Sequence, residues 1–407
     1  MRLTVDDIDA QLKSGLTSGR LGPEERAVLE ALANAPLLRR EGVENVVAGT
    51  AVVVNPVNLA LAVEYFTRYF GVVPDFFLLD DDLAPTEAEA LGSRHGCGTA
   101  PVHAGLVDPL VFGRKTPYRR DRGGFRYLGC RLGLHYGISR GVYIDPDAEP
   151  GKDAGNFRLA ESEMFSWAFV LDRLPDIARI HARLADAESR AVFVGKVRAH
   201  LSGNSGYIPV SGYLQYYHPL IQPEMNDVVC EGGASDGATT LGFAGSVGCK
   251  GHVHAFEPLP DGYSDIAENT RGIANISVER SGLWSRAERL RLRLNGTGST
   301  VTEAGGAGTV ECEMTALDSF LADRNIGCDY FKLDIEGAEP EALAGAVETI
   351  RGRRPKLAIS IYHKPYSQLF DIPLAIVGTE PGYRLYMGHH DITQDETVLY
   401  ADCMGKA

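Results

Sequence analysis

Three acidic residues in the rear half of the chain each stand where an apolar run gives way to a turn. They are Glu231 in Val229-Cys230-Glu231-Gly232-Gly233-Ala234-Ser235-Asp236-Gly237, Glu257 before Pro258, and Asp334 in Lys332-Leu333-Asp334-Ile335-Glu336-Gly337. A strand that ends in a carboxylate and runs through glycines into a helix can hold a ligand. Gly233 and Gly237 let that ligand approach the backbone closely. The N–H groups and positive end of the helix, reached through Ser235 and Asp236, favour a carboxylate, and Glu231 suits an ammonium. The spacing departs from the GxGxxG turn that seats a pyrophosphate, and an acid beside a pyrophosphate is unfavourable. A zwitterionic amino-acid tail fits better than a dinucleotide. Glu257 follows Gly237 by about 20 residues, where a carboxylate can accept from both hydroxyls of a ribose; taken alone it would read as a solvated acid.

Beyond the next apolar run come Ser281, Gly282, Leu283 and Trp284. Gly282 permits close approach, and Leu283 or Trp284 can cover a base, although Trp284 serves equally as core. Asp334 and Glu336 end a strand on the edge where open α/β sheets bind ligands, and can meet a cationic centre, a hydroxyl or a metal. Glu339 and Glu341 read as charges complementing a helix dipole. In Ile359-Ser360-Ile361-Tyr362-His363-Lys364-Pro365 a strand delivers His363 to the same edge. A histidine there can be the general base for an alcohol or a structural residue of the turn. His389-His390-Asp391 resembles a metal cluster, but neighbours on a strand point to opposite faces.

These residues need a regular scaffold, and from Asp227 the pattern supplies one. Strands are expected at Val228–Glu231, His252–Glu257, Ile276–Arg280, Tyr330–Asp334 and Leu357–Ile361, with helices at Asp261–Arg271 and Pro340–Ile350. Leu290–Leu294 and Val310–Met314 alternate as an inserted antiparallel hairpin. Tyr383–Met387 and Thr397–Ala401 close the chain as two strands. This is an α/β, doubly wound sheet with an antiparallel end. Ahead of it, Met1–Leu38 reads as helical. Val46–Val54, Leu59–Phe70 and Phe76–Leu79 read as a βαβ unit, and Phe157–His200 as helical again. The expected division is an N-terminal helical segment over 1–40, a Rossmann-like accessory or substrate domain over 41–202, a Gly/Tyr/Pro linker over 203–226, and the ligand-binding domain over 227–407.

The formal net charge of -14 makes phosphate backbones and anionic lipid poor partners, so nucleic acid and membrane are not expected. The basic stretch Arg114 to Arg131 is the local exception. It reads as a solvated loop or a site for an acidic partner. The first ten residues are polar and acidic, unlike a secretory leader, and no apolar run nears the ~20 residues of a membrane helix. Seven scattered cysteines without a CxxC argue against a disulfide framework or structural zinc and suit a reducing cytoplasm.

The segments VVCEGGASDGATT, HAFEPLP, TALDSF, DYFKLDIEGAEPEALAGA, RRPKLAISIYHKP and ETVLYA resemble the FkbM family of S-adenosylmethionine-dependent methyltransferases. The run KLDIEGAE after LDSF is the most specific part. Glu231 stands where an aspartate is commoner. The resemblance implies a class I methyltransferase, Rossmann-like doubly wound sheet with an antiparallel terminal strand, preceded by a second α/β (Rossmann-like) domain. It implies S-adenosyl-L-methionine as cofactor, held by Glu231, Gly233, Ser235, Asp236, Gly237, Glu257, Pro258, Ser281, Gly282, Leu283, Asp334 and Glu336. It also implies methyl transfer to a hydroxyl of a small molecule: a sugar, glycan or natural product. Asp334 and His363 are the catalytic candidates. Mg²⁺ at Asp334 and Glu336 accords with the taste of hard cations for carboxylates, but no full ligand set is visible. The front half is similar to extensions ahead of some family members, which leaves it substrate recognition or homo-oligomer formation. An NAD-dependent oxidoreductase is the alternative enzyme, because Glu257 can equally hold an NAD ribose. A non-enzymatic sensor or scaffold that binds S-adenosylmethionine is the alternative outside catalysis.

Overall fold

The computed structural model describes residues 5–17, 21–38, 51–54, 76–79, 84–96, 98–101, 125–128, 143–144, 159, 161–295, 298–302, 308–390 and 394–403. The expected helix Leu59–Phe70 and most of the basic stretch from Arg114 lie outside the described residues. In the front half, β1 (Ala51–Val54), β2 (Phe76–Leu79), β3 (Gly98–Pro101), β4 (Phe125–Leu128) and β5 (Tyr143–Ile144) form a sheet in the order β3-β2-β1-β4-β5. The pairs β1–β2 and β2–β3 are parallel and β1–β4 is antiparallel. The expected helical start is two helices, α1 (Val5–Thr17) and α2 (Pro23–Ala33), the second begun by Pro23 at its first turn, where a missing N–H costs nothing. Helix α3 (Pro85–His95) joins β2 to β3.

Three further helices, α4 (Trp167–Asp172), α5 (Leu174–Arg183) and α6 (Ala187–Ser202), complete the front half. Asp186 caps α6 by accepting from Ser189 N at 2.7 Å, and Gly203, at φ +70°, ends it. Most of α6 is buried, including Lys196, Arg198 and His200. It is a core helix, and its charged groups are paired: Arg198 with Asp9 of α1, and Lys196 with the Gln394 carbonyl.

The rear half holds α7 (Ala238–Val247), α8 (Pro260–Asn269), α9 (Leu317–Arg324), α10 (Glu339–Ala344), α11 (Val347–Gly352) and α12 (Pro365–Thr379). They surround β6 (Val228–Gly232), β7 (His252–Phe256), β8 (Ile276–Glu279), β13 (Tyr330–Leu333), β14 (Lys356–Ser360), β15 (Tyr383–His389) and β16 (Thr397–Cys403). These strands form one sheet, ordered β15-β16-β14-β13-β6-β7-β8. The central strands are parallel, and β16 pairs antiparallel with both β14 and β15, so the antiparallel strand is inserted next to the edge. The expected hairpin is present and longer: β10 (Glu288–Asn295) pairs antiparallel with β11 (Gly298–Val301) and β12 (Thr309–Thr315), and β9 (Gly282–Leu283) joins them in a sheet of its own. The single helix expected over Pro340–Ile350 is split into α10 and α11. A Cβ at Gly345 would run into the Trp284 carbonyl; this crossing of backbones occupies the break.

Two expectations about organisation are corrected. Residues 203–226, expected as a Gly/Tyr/Pro linker, are packed into the fold, with Tyr207, Ile208, Tyr216 and Ile221 buried. Nor does a boundary there separate two cores. One apolar cluster joins Ile8, Leu29, Ile177 and Phe193 to Phe331, Leu357, Phe370 and Leu385. Leu184 bridges to Leu385, Ala185 N donates to the Leu385 carbonyl at 2.8 Å, and Met387 N donates to Ser189 Oγ at 2.9 Å. The helices of residues 159–202 therefore cover the outer strand of the rear sheet. No described helix is long and apolar enough to cross a membrane.

Phe193 is fully buried on α6 and meets Phe370 of α12 edge-on at 6.4 Å between centroids. Phe193→Ala should cost about 3–5 kcal/mol and weaken the rear sheet as well as the helical layer. In a Trp167→Phe background, Trp284 fluorescence and far-ultraviolet dichroism should lose signal at one shared, lowered urea midpoint. A Trp284 midpoint that stays at the unsubstituted value would contradict the shared core.

Candidate active site

Strand order reverses between β6 and β13, with β7 and β8 on one side and β14, β16 and β15 on the other. The carboxyl ends of strands at such a switch form the usual ligand crevice. The turn after β6 is built for close approach. Gly233 has φ +76° and Gly237 +83°, and a Cβ at Gly233 would run into the carbonyl of Asp334. Ser235 N donates to Glu257 Oε2 at 3.2 Å, and Asp236 Oδ1 accepts from Ala238 N at 3.0 Å. Glu257, just past β7, is buried, and its other oxygen accepts from Leu259 N at 3.0 Å. Burial pushes its pKa up against the pull of those N–H groups. Gly282 closes on Pro258: a Cβ there would lie 3.3 Å from Pro258 Cγ. Ser281 is half-buried beside it.

Two of the expected ligand contacts go elsewhere. β6 extends one residue past Glu231, which is 0% exposed. Its Oε2 accepts from Thr240 Oγ1 at 2.6 Å, and its Oε1 lies 3.4 Å from Lys332 Nζ. Lys332 Nζ also donates to the carbonyls of Gly232 and Gly233, at 3.2 and 2.6 Å. The ammonium that Glu231 meets is thus the protein's own, and the pair fastens the turn from beneath. Burial raises the Glu231 pKa while Lys332 opposes the rise. Leu283, expected over a base, belongs to the main core at 3% exposure and seals Gly232.

At the end of β13 the chain makes a tight turn, with Glu336 at φ +58° and Gly337 at +95°. Lys364 Nζ holds it by donating to the Gly337 carbonyl at 2.7 Å. This turn brings Asp334, Glu336 and Glu339 around His363. His363 Nδ1 lies 3.0 Å from Glu339 Oε1, an ion-pair contact not aligned as a hydrogen bond. Its Nε2 lies 3.5 Å from Asp334 Oδ1 and 3.6 Å from Glu336 Oε2. Burial works against a charged imidazole, but the three carboxylates outweigh it and His363 is raised above the usual histidine range.

Glu339 stands in the first turn of α10, as expected of a charge that complements the helix dipole, and does more than that. It is 0% exposed, its Oε1 accepts from Ile335 N at 2.9 Å, and its Oε2 accepts from Gln368 Nε2. Spacing alone could not separate it from Glu341, since both fall in the first turn of α10. Two tyrosines were also missed. Tyr216 Oη donates to Asp334 Oδ2 at 2.6 Å, and Tyr362 Oη to Asp334 Oδ1 at 3.1 Å. The signal for the first was the aromatic density of Tyr213, Tyr216 and Tyr217, which a solvated linker would not carry. Donor atoms of Asp334, Glu339 and His363 lie within 4.8 Å of one another, close enough to share a cation. The carboxylate oxygens already accept from phenol, amide and backbone donors, however, and Glu336, the other half of the expected Mg²⁺ pair, is half exposed. His389 Nδ1 is engaged with Thr397 Oγ1 and His390 Nε2 with Tyr400 Oη, both at 2.9 Å; Asp391 lies outside the described residues.

The family model of the methyltransferase FkbM domain matches residues 231–385. The crystal structure of methyltransferase FkbM from Methylobacillus flagellatus KT is similar over 97% of this chain and 98% of its own, at 17% identity and a TM-score of 0.50. Aeropyrum pernix fibrillarin, in complex with natively bound S-adenosyl-L-methionine, is similar over 44% of this chain and 67% of its own, at 15% identity and a TM-score of 0.31. A SAM-dependent O-methyltransferase from Thermotoga maritima is similar over 48% and 69%, at 12% identity and a TM-score of 0.29. No curated protein matches the chain significantly. Residues 231–385 are a methyltransferase FkbM domain.

Proposed function

We propose that the protein transfers a methyl group from S-adenosylmethionine to a hydroxyl of a small molecule, a sugar, glycan or natural product, with His363 as general base. The observation that carries this reading is the imidazole itself, backed by buried Glu339 at Nδ1 and turned with Nε2 toward the edge that holds Asp334 and Glu336.

The residues present suit the cofactor. The crossing at Gly233, where the Asp334 carbonyl leaves no room for a Cβ, holds the turn against the end of β13, and the Ser235–Gly237 turn opens on the first turn of α7 for a carboxylate. Glu257 stands ready for ribose hydroxyls, and Pro258, Ser281 and Gly282 form the wall beyond it. Bound there, the cofactor supplies an electrophilic methyl on a sulfonium. The chain's own task is to orient the acceptor and take its proton. An alcohol is neutral at pH 7 and needs a base to become a nucleophile. Nε2 accepts the hydroxyl proton while Nδ1–H faces Glu339, which stabilises the imidazolium that forms, as a buried carboxylate does behind other catalytic histidines. Proximity and orientation carry much of the remaining acceleration.

Isothermal titration should show S-adenosylhomocysteine binding, and Glu257→Ala should weaken it by roughly 1.5–3 kcal/mol, the range for hydrogen bonds to a charged group. Binding of NADH with none of S-adenosylhomocysteine would reject the cofactor.

With an acceptor found by screening polyols, His363→Ala should lower turnover by ~10²–10⁴-fold and keep S-adenosylhomocysteine affinity, while wild-type activity should be insensitive to EDTA. Because the base works deprotonated and its pKa is raised, wild-type activity should climb with pH through a point above the ordinary histidine value. Glu339→Gln removes the strongest cause of that rise and should move the climb to lower pH. EDTA-sensitive wild type beside an active His363→Ala would replace the base with a metal.

A further inference from the structure

Among the described residues, seven non-glycine residues have positive φ, and four of them, Tyr216, Ser235, Glu336 and Glu396, gather at the carboxyl edge of the rear sheet. A bulky aromatic at φ +67° is the least expected, and such strain persists only where surrounding contacts over-determine it. At Tyr216 they do. Its N–H donates to Tyr400 Oη at 2.9 Å, its carbonyl accepts from Tyr330 Oη at 2.6 Å, and its ring lies 5.1 Å from Lys332 Nζ. Tyr330 and Lys332 stand on β13 and Tyr400 on β16. They fix a phenol that reaches Asp334 Oδ2 at 2.6 Å, and Gln215 Nε2 donates both to that phenol oxygen at 3.0 Å and to Glu396 Oε2 at 2.9 Å. Tyr362, whose ring lies against His363 at 4.1 Å, takes the other oxygen of Asp334.

From this geometry we infer that Tyr216 is a positioning residue of the methyl-transfer site, its phenol holding the Asp334 carboxylate back from His363 Nε2 so that the imidazole stays open to the acceptor hydroxyl. With Oδ2 tied to Tyr216 and Oδ1 to Tyr362, Asp334 stops 3.5 Å short of Nε2. Released from Tyr216, the carboxylate is free to turn and pair with the imidazole, which would occupy the base. The inference rests on the reading of His363 as that base. The charged groups around His363 are Asp334 and Glu336 from the turn after β13, Glu339 from α10 and its chain neighbour Lys364. Asp395, from the turn between β15 and β16, acts through Glu336.

Tyr216→Phe removes one oxygen and keeps the ring. In ¹⁵N-histidine-labelled full-length protein, the His363 titration midpoint, assigned with His363→Ala, should rise in Tyr216→Phe. S-adenosylhomocysteine affinity should stay within about twofold. In the Asp334→Asn background the same substitution should move the midpoint little, since neighbours in one network couple and the cycle isolates that coupling. A midpoint that is unmoved or lowered in Tyr216→Phe, or one that rises equally without Asp334, overturns the role. A Tyr216→Phe chain that no longer folds gives the phenol a structural duty and overturns it too. No acceptor is used, so failure here is separate from failure of the methyl-transfer reading, which wild-type S-adenosylhomocysteine titration and His363→Ala turnover report.

Discussion

Where β6 ends, its backbone passes so close to the end of β13 that it has no room for a side chain at Gly233. Much of the site depends on that crossing. Lys332 reaches under it to the carbonyls of Gly232 and Gly233, and Glu231 balances the lysine in a space with no solvent. A buried pair of this kind is a weak source of net stability, but removing one partner is costly because the other is left charged and dry. Its effect is geometric. It sets the direction in which Asp334 leaves the strand, and through the turn at Glu336 and Gly337 it sets the three carboxylates around His363.

The succession of strands and helices along the chain, and the rim on which the site falls, were legible because apolar runs of the right length alternate with glycine, proline and capping signals from residue 227 onward. Glu257, Asp334 and His363 could be placed for the same reason: a side chain just beyond a strand's carboxyl end falls on one predictable rim. The roles of Glu231 and Glu339 were not legible. Whether a carboxylate one residue inside a strand end faces a ligand or a lysine depends on which strand lies alongside, and Lys332 is about a hundred residues away in sequence. Tyr216 was hidden by a different cause. Glycine and proline around it read as a linker, yet Tyr330 and Tyr400 supply the hydrogen bonds that water would otherwise give its backbone.

Helix α6 shows how composition can mislead in the other direction. Lysine, arginine and histidine in one helix suggest a wet face, but Lys196, Arg198 and His200 are all buried. Burial lowers the Lys196 pKa to about 8, and Glu163 and Asp395 resist the fall. Lys196 thereby joins the front helices to the turn between β15 and β16, whose Asp395 also acts on Glu336. The helical layer and the rim of the site thus share one electrostatic neighbourhood.

The seam between α6 and β15 bears on how this protein can be recombined. A chimera that takes only residues 227–407 as its catalytic cassette would strip β15 of the partners that Leu184, Ala185 and Ser189 give to Leu385 and Met387. It would also leave the apolar side of α12 bare where Phe193 had packed. Grafting should therefore carry α1 and α2 along with the helices from Leu159 onward, because Ile8 and Leu29 share that core and Asp9 pairs with Arg198. The segment between α2 and Leu159, which holds β1 to β5, is then the portion open to exchange.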